Sequence, residues 1–176
     1  MSVGVFGVGP IGLLILQLAR LSGANALLAT DRLPHRLNAA RALGATNVVL
    51  AGGESEVMEV RAATEQRGVD VAFEVAGENE AVETAVAAVK PGGRVILAGI
   101  PADDRTSFSA SVARRKGLTI KLVRRMKFTF PRAIRLVESG QVDVRSLATH
   151  RFPLEEAQNA FAIAKRREGL KVIIEI

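Results

Sequence analysis

The sequence predicts an α/β protein: a doubly wound, three-layer fold of six parallel strands in the order 3-2-1-4-5-6, followed by a C-terminal helix–strand tail. Three observations carry this expectation. Strand-like and helix-like segments alternate four times in units of roughly thirty residues, the spacing of right-handed βαβ crossovers. The strand-like segments are near-continuous runs of Val, Ile, Leu and Ala, as strands covered on both faces require. The first of them passes without a break into Gly7-Val8-Gly9-Pro10-Ile11-Gly12, a glycine turn that opens a helix.

The elements follow in order. Val3 to Phe6 is the first strand, and Ile11 to Leu21 a helix apolar on most faces, as a buried helix would be. Ala26 to Thr30 is the second strand and ends at Asp31; Pro34 opens a helix to Leu43, with Gly44 placed to stop it. Asn47 to Leu50 is a short third strand, Gly52-Gly53 turns, and a helix covers residues from about Glu54 to Gln66. Val69 to Val75 is the fourth strand, Ala76-Gly77 turns, and Glu80 to Val89 is helical. Pro91-Gly92-Gly93 makes a tight turn into the fifth strand, Arg94 to Ala98. Beyond Ile100 the rhythm changes: Ser107 to Val112 alternates small polar and apolar residues, the pattern of an exposed edge strand. Leu118 to Val123 reads as the sixth strand, and Pro131 to Ser139 as a helix stopped by Gly140. The tail supplies a helix reaching about Arg167 and a strand from Lys171 to Ile176.

Composition narrows the chemistry. The 176 residues are 48% apolar and 24% charged, ordinary for a globular protein with a full core. There is no run long and apolar enough to span a bilayer, and the apolar stretch near the start follows a glycine turn rather than a basic leader. Zero cysteines exclude disulfides and thiolate ligands and make a reducing cytoplasm the expected compartment. Only His35 and His150 are available as imidazoles, so an all-histidine zinc site is excluded too. The net charge of +6 invites a nucleic-acid reading, but with no Trp or Tyr and acidic residues interspersed, the charge fits solubility and one anionic ligand better.

That ligand is a dinucleotide. Its pyrophosphate needs a tight strand-to-helix turn, backbone near enough to donate N–H bonds, and close packing of helix on sheet; Gly7, Gly9 and Gly12 meet these needs in turn. Asp31 follows at the end of the next strand, where a carboxylate accepts from adenosine ribose hydroxyls and repels a 2′-phosphate, which favours NAD over NADP. Arg32 points the other way, since a neighbouring arginine can receive that phosphate, and Arg36 is within reach of the ribose. Asp31 also suits a plain helix-capping role ahead of Pro34. A glycine-rich first turn occurs in S-adenosylmethionine methyltransferases as well, but this three-glycine spacing suits a dinucleotide better.

The glycine turn, Asp31, Phe73-Glu74-Val75-Ala76-Gly77, Pro91-Gly92-Gly93 and Leu97-Ala98-Gly99-Ile100, in that order, resemble the zinc-dependent medium-chain alcohol and polyol dehydrogenases. Leu122-Val123-Arg124-Arg125, Thr129-Phe130-Pro131 and Leu147-Ala148-Thr149-His150-Arg151-Phe152-Pro153-Leu154 are most similar to the sorbitol/xylitol dehydrogenase branch. The resemblance spans essentially the whole chain and implies a Rossmann fold that binds NAD. It places the pyrophosphate on Gly7, Gly9, Pro10, Ile11 and Gly12, and the adenosine ribose on Asp31 and Arg36. It assigns Val75, Ala76, Ala98, Gly99, Ile100, Val123, Arg124 and Arg125 to the cofactor, with Arg125 and Met126 also touching substrate. Without the resemblance, Arg124-Arg125 is a solvated basic pair.

The resemblance implies oxidation of a polyol or secondary alcohol to a ketone by hydride transfer to NAD. It also implies zinc in a further catalytic domain, without which this chain alone is expected to be inactive. The family's pattern makes residues 1–149 the NAD-binding domain and 150–176 a tail that packs on the catalytic domain, with His150 in a structural turn. A homo-oligomer is expected through the edge segment Arg105 to Val112, with neither nucleic acid nor membrane as partner. Two other readings stand beside this one: a stand-alone NAD-sensing domain, and a zinc-free medium-chain quinone reductase.

Overall fold

A computed structural model describes residues 1–52, 55–124 and 128–176. The chain divides into two compact units, Met1–Lys127 and Phe128–Ile176. The division expected at 149/150 lies inside the second.

The first unit holds six strands: β1 (Ser2–Phe6), β2 (Ala26–Asp31), β3 (Asn47–Leu50), β4 (Val69–Glu74), β5 (Val89–Leu97) and β6 (Thr119–Leu122). They form one sheet in the order β3-β2-β1-β4-β5-β6, and every neighbouring pair is parallel. The strand order reverses between β2 and β4, on either side of β1, so a crevice opens at the carboxyl end of β1. Five helices make the crossovers: α1 (Pro10–Leu21), α2 (Pro34–Ala42), α3 (Glu56–Ala62), α4 (Asn79–Ala88) and α5 (Ala110–Lys116). Val3, Val5, Phe6, Leu27, Leu28, Val69 and Val95 are essentially inaccessible, because parallel strands are covered on both faces. On one face Val60 of α3, Val82 and Ala85 of α4 and Ala113 of α5 join that core.

Two cations close the end of α4. Lys116 Nζ, from α5, donates to the carbonyls of Val86, Ala87 and Val89 at 3.0, 2.7 and 2.8 Å, and Arg61, from α3, donates to Ala87 at 2.9 Å. These are carbonyls that a helix terminus leaves without partners of its own, and cations suit that end of the dipole. Burial pulls the Lys116 ammonium below its usual range, and the nearby Arg61 charge adds to this.

Three expectations are corrected. Residues Ser107 to Val112 do not form an edge strand: Ser109 caps α5, whose first turn starts at Ala110. Phe108 and Val112, four residues apart, lean on the core while Ala110 is exposed, which is helical rather than alternating burial. Pairing of two copies along this segment therefore has no strand to run through; the free edges of the sheet are β3 and β6. The Pro91-Gly92-Gly93 turn does not precede β5 but bulges within it, Val89 pairing with Val69 and Arg94 with Val71. Helix α1 is not buried all round: Ile11, Leu18 and Leu21 are exposed. Leu18 borders an open apolar groove over β4, β5 and β6, lined also by Ile15, Phe73, Ile96 and Leu122.

At the opposite end of the strands Asp70 draws β1, β4 and β5 together. Its carboxylate accepts from Ser2 N at 2.6 Å and Ser2 Oγ at 2.9 Å and pairs with Lys90. Lys90 and the two Ser2 donors hold the Asp70 carboxyl well below the usual carboxylate range. A carboxyl lowered in the folded state stabilises above its unfolded pKa of about 3.9, and that contribution drains away as pH falls below it. Asp70→Asn is expected to cost about 1–2 kcal/mol at pH 7, the partly exposed ion pair contributing little of it. Between pH 4 and pH 2 the variant should then lose stability less steeply than the parent. Denaturant unfolding at pH 7 and across that range measures both; parallel curves would show that Asp70 is not so held.

The second unit contains α6 (Phe130–Glu138), β7 (Ala148–Pro153), a short 3-10 turn (Leu154–Glu156), α7 (Ala157–Arg166) and β8 (Lys171–Glu175). β7 and β8 are parallel and joined through α7, a small βαβ unit. The sequence reading had α6, α7 and β8 but placed His150 in a turn; it lies in β7, paired with Val172 and stacked on Phe152. Thr149 Oγ1 accepts from Leu170 N at 3.0 Å, tying the two strands where β8 begins. Leu154 and Phe161 are exposed. Among the described residues no helix is long and apolar enough to cross a membrane.

Candidate functional site: the crevice at the carboxyl end of β1

Phe6 ends β1 and Pro10 begins α1, leaving three residues for the turn. Gly7 takes φ +95°, a left-handed conformation that other residues rarely adopt, and its N–H donates to the Thr30 carbonyl of β2 at 2.8 Å. A side chain here would also stand 2.7 Å from Ala76 N, so the β1 turn rests directly on the β4 turn. Gly12 lies buried in the first turn of α1, and a Cβ on it would fall on the Gly7 carbonyl oxygen. Pro10 supplies the pre-set φ of a first helical turn, and Ile11 beside it is 63% exposed at the mouth. The result is the positive end of a helix dipole with bare backbone facing the crevice.

Asp31, at the end of β2, is buried, with both carboxylate oxygens engaged. Oδ2 accepts from Val8 N of the glycine turn at 3.0 Å, and Oδ1 accepts from Leu33 N at 2.9 Å. One side chain thus fixes both the turn and the chain leading into α2, but it does not cap that helix, whose N-cap is Leu33 with no side-chain cap bond. Arg36, in the first turn of α2, brings Nη1 to 3.5 Å from Asp31 Oδ2. The same guanidinium lies close over Gly9. Its Nε is buried and has no hydrogen-bond partner among the described residues. Arg32 instead reaches Glu80 of α4 and pairs with it.

The remaining expected positions lie where β4, β5 and β6 end. Val75 N donates to the Phe6 carbonyl at 2.8 Å, Ala98 N and Gly99 N both donate to the Glu74 carbonyl, and Val123 N donates to the Leu97 carbonyl at 2.9 Å. Ile100 is 69% exposed and Arg124 is exposed. Arg125 and Met126 lie outside the described residues.

Glu74 went unassigned in the sequence. It is 1% exposed, and its Oε1 accepts from Gly77 N at 2.7 Å. Burial pushes its carboxyl up, opposed by the backbone N–H groups of Gly77, Ala76, Glu78 and Gly99. In the sequence it is one of two acids in β4, and nothing there sets it apart from Asp70.

Among the described residues no three His, Cys, Asp or Glu side chains gather as a metal set. Two histidines and no cysteine supply neither a thiolate nor an all-histidine zinc set.

Residues 10–139 match the model of the family described as zinc-binding dehydrogenase. The chain belongs to that family. This zinc-binding dehydrogenase chain is 33% identical over 175 residues to the sorbitol dehydrogenase of Bacillus subtilis (strain 168), covering 98% of the chain and 50% of that relative. It superposes on the alcohol dehydrogenase TADH from Thermus sp. ATN1 with a TM-score of 0.89 and 34% identity, covering 97% of this chain and 50% of that one. A Sinorhizobium meliloti 1021 protein solved bound to NADP gives a TM-score of 0.81 at 29% identity, over 92% of this chain and 48% of that one. The chain thus spans about half the length of the relatives it matches. The expected resemblance, the six-stranded doubly wound sheet and its strand order all hold.

Proposed function

We propose that this dehydrogenase chain is the NAD-binding part of an oxidoreductase that oxidises a polyol or secondary alcohol to a ketone. The observation that carries the reading is the glycine turn at the reversal of strand order, with the Asp31 carboxylate bonded into it and the Arg36 guanidinium lying over it. When bound, NAD takes the hydride; everything else here is the work of the chain. Gly7 N and Val8 N being bonded to Thr30 and Asp31, the N–H groups of the first turn of α1 and its dipole hold the pyrophosphate, with Arg36 as a further donor. Asp31 receives the adenosine ribose and excludes a 2′-phosphate by charge. Pairing of Arg32 with Glu80 engages one of the two cations near this end of the crevice, Arg36 being held on Asp31 itself. The backbone of Val75, Ala76, Ala98, Gly99, Ile100, Val123 and Arg124 lines the way to the nicotinamide, and the substrate role of Arg125 and Met126 rests on the resemblance alone.

On this reading the chain binds the dinucleotide but does not turn over by itself. The resemblance puts zinc in a further catalytic domain, and the chain spans half the length of the sorbitol dehydrogenase it matches. A sequence free of cysteine is consistent with a cytoplasmic protein. The test is a titration with NADH, read by the enhanced emission of the bound nicotinamide; a chain without Trp or Tyr adds almost no background. One-to-one saturation is expected, displaced by NAD. No binding at millimolar NADH would overturn the proposal.

A further inference from the structure

We infer that Glu74 is the positioning residue for the nicotinamide end of the crevice, locking the turns after β4 and β5 into one platform. The inference rests on the dinucleotide reading above and assigns a task that the glycine turn, Asp31 and Arg36 do not perform. Three contacts meet at this residue. Its carboxylate accepts from Gly77 N at 2.7 Å, which pins the turn between β4 and α4. Its main-chain carbonyl accepts from Ala98 N at 2.8 Å and Gly99 N at 3.0 Å, which pins the turn after β5. In register it stands beside Phe6 on one side and Leu97 on the other, the last residues of β1 and β5.

The glycines around it show how tightly these turns are stacked. A Cβ on Gly99 would sit 2.6 Å from Glu74 Oε2, and one on Gly77 would sit 2.7 Å from the Ile100 carbonyl oxygen. Ala76 in turn abuts Gly7 of the phosphate turn. A displacement at Glu74 therefore moves the backbone of the turns after β4 and β5 first.

The choice of a carboxylate is informative. Among the described residues no Lys, Arg or His pairs with Glu74, and its partners are backbone N–H groups alone. A buried charge without a counter-ion is an expensive way to hold a turn that a neutral acceptor could hold. What the carboxylate provides and an amide does not is acceptance at both oxygens at once, facing several convergent N–H groups. An amide in its place would turn two N–H donors on those same N–H groups and force the turns apart.

The test separates the two ends of the ligand. ADP carries the adenosine and the pyrophosphate but no nicotinamide, so calorimetric titration with ADP and with NAD reads the two ends separately. Glu74→Gln should bind ADP within about twofold of the parent and NAD about tenfold more weakly, a difference of about 1.4 kcal/mol. Glu74→Asp keeps the charge but draws it back by one methylene, so it should show the same split and serves if the Gln variant does not fold. Amide exchange should quicken at Gly77 and Gly99 while Val3 to Phe6 of β1 keep their protection, a local loosening that general destabilisation does not give. Equal weakening of both ligands, or unchanged NAD affinity, would overturn the positioning role and leave the dinucleotide reading standing. Failure of the parent chain itself to bind either ligand would overturn both.

Discussion

Gly12→Ala is expected to abolish dinucleotide binding. The added methyl falls on the Gly7 carbonyl oxygen, with the Gly7 carbonyl carbon at 3.0 Å and Val5 Cγ1 at 3.3 Å behind it. None of these is the free end of a flexible side chain. Relief requires α1 to lift from β1 or the Gly7 peptide to rotate, and Gly7 is held by its bond to Thr30 and by contact with Ala76. Either movement pulls the helix N-terminus away from the pyrophosphate position. Overpacking of this kind costs about 3 kcal/mol of stability. The affinity for NADH should fall at least about a hundredfold, equivalent to about 2.7 kcal/mol. Urea unfolding and NADH emission measure the two effects on one sample. A folded Gly12→Ala with parental affinity would remove the glycine turn from the binding site.

The second large effect is cofactor selectivity. NAD should bind at least tenfold more tightly than NADP, because a 2′-phosphate near 4 Å from the Asp31 carboxylate meets a repulsion of roughly 1–4 kcal/mol. Asp31→Ala should weaken NAD and narrow that gap. It also leaves Val8 N without its acceptor inside the turn, at a cost of about 1–3 kcal/mol in stability. Asp31→Asn keeps an oxygen for Val8 but turns its NH2 on Leu33 N, so it should narrow the gap at a comparable stability loss. Competition of NAD and NADP against NADH gives the ratio for each variant. Equal affinity of the parent chain for both cofactors would refute the role given to Asp31.

Both effects were legible in the sequence because the features behind them are local. The three glycines, the helix they open and the acid closing the next strand lie within 25 residues of one another, and each answers a backbone requirement that residue type alone reveals. The strand order followed from the regular alternation of elements and the handedness of crossovers. The segment from Ser107 to Val112 misled because Phe108, Ala110 and Val112 satisfy a period of two. Phe108 and Val112 satisfy a helical spacing equally well, and only the buried Ala113 distinguishes them. β7 was missed because its strand partner, β8, lies across a helix and offers no local signal at His150. Glu74 was invisible for a different reason. Its partners are main-chain N–H groups of turns, and these leave no side-chain signature anywhere in the sequence.

The two cations at the end of α4 bear on how this half of the molecule comes apart. Arg61 arrives from the helix before α4 and Lys116 from the helix after it, so carbonyls of Val86, Ala87 and Val89 are dry and bonded only while all three helices are docked. Peeling α5 away strips the ammonium from three acceptors in one step and wets the end of its neighbour. Partial opening of that layer is thereby penalised relative to complete opening. The helices on this face of the sheet are expected to unfold as a single cooperative unit, rather than as three helices melting in succession.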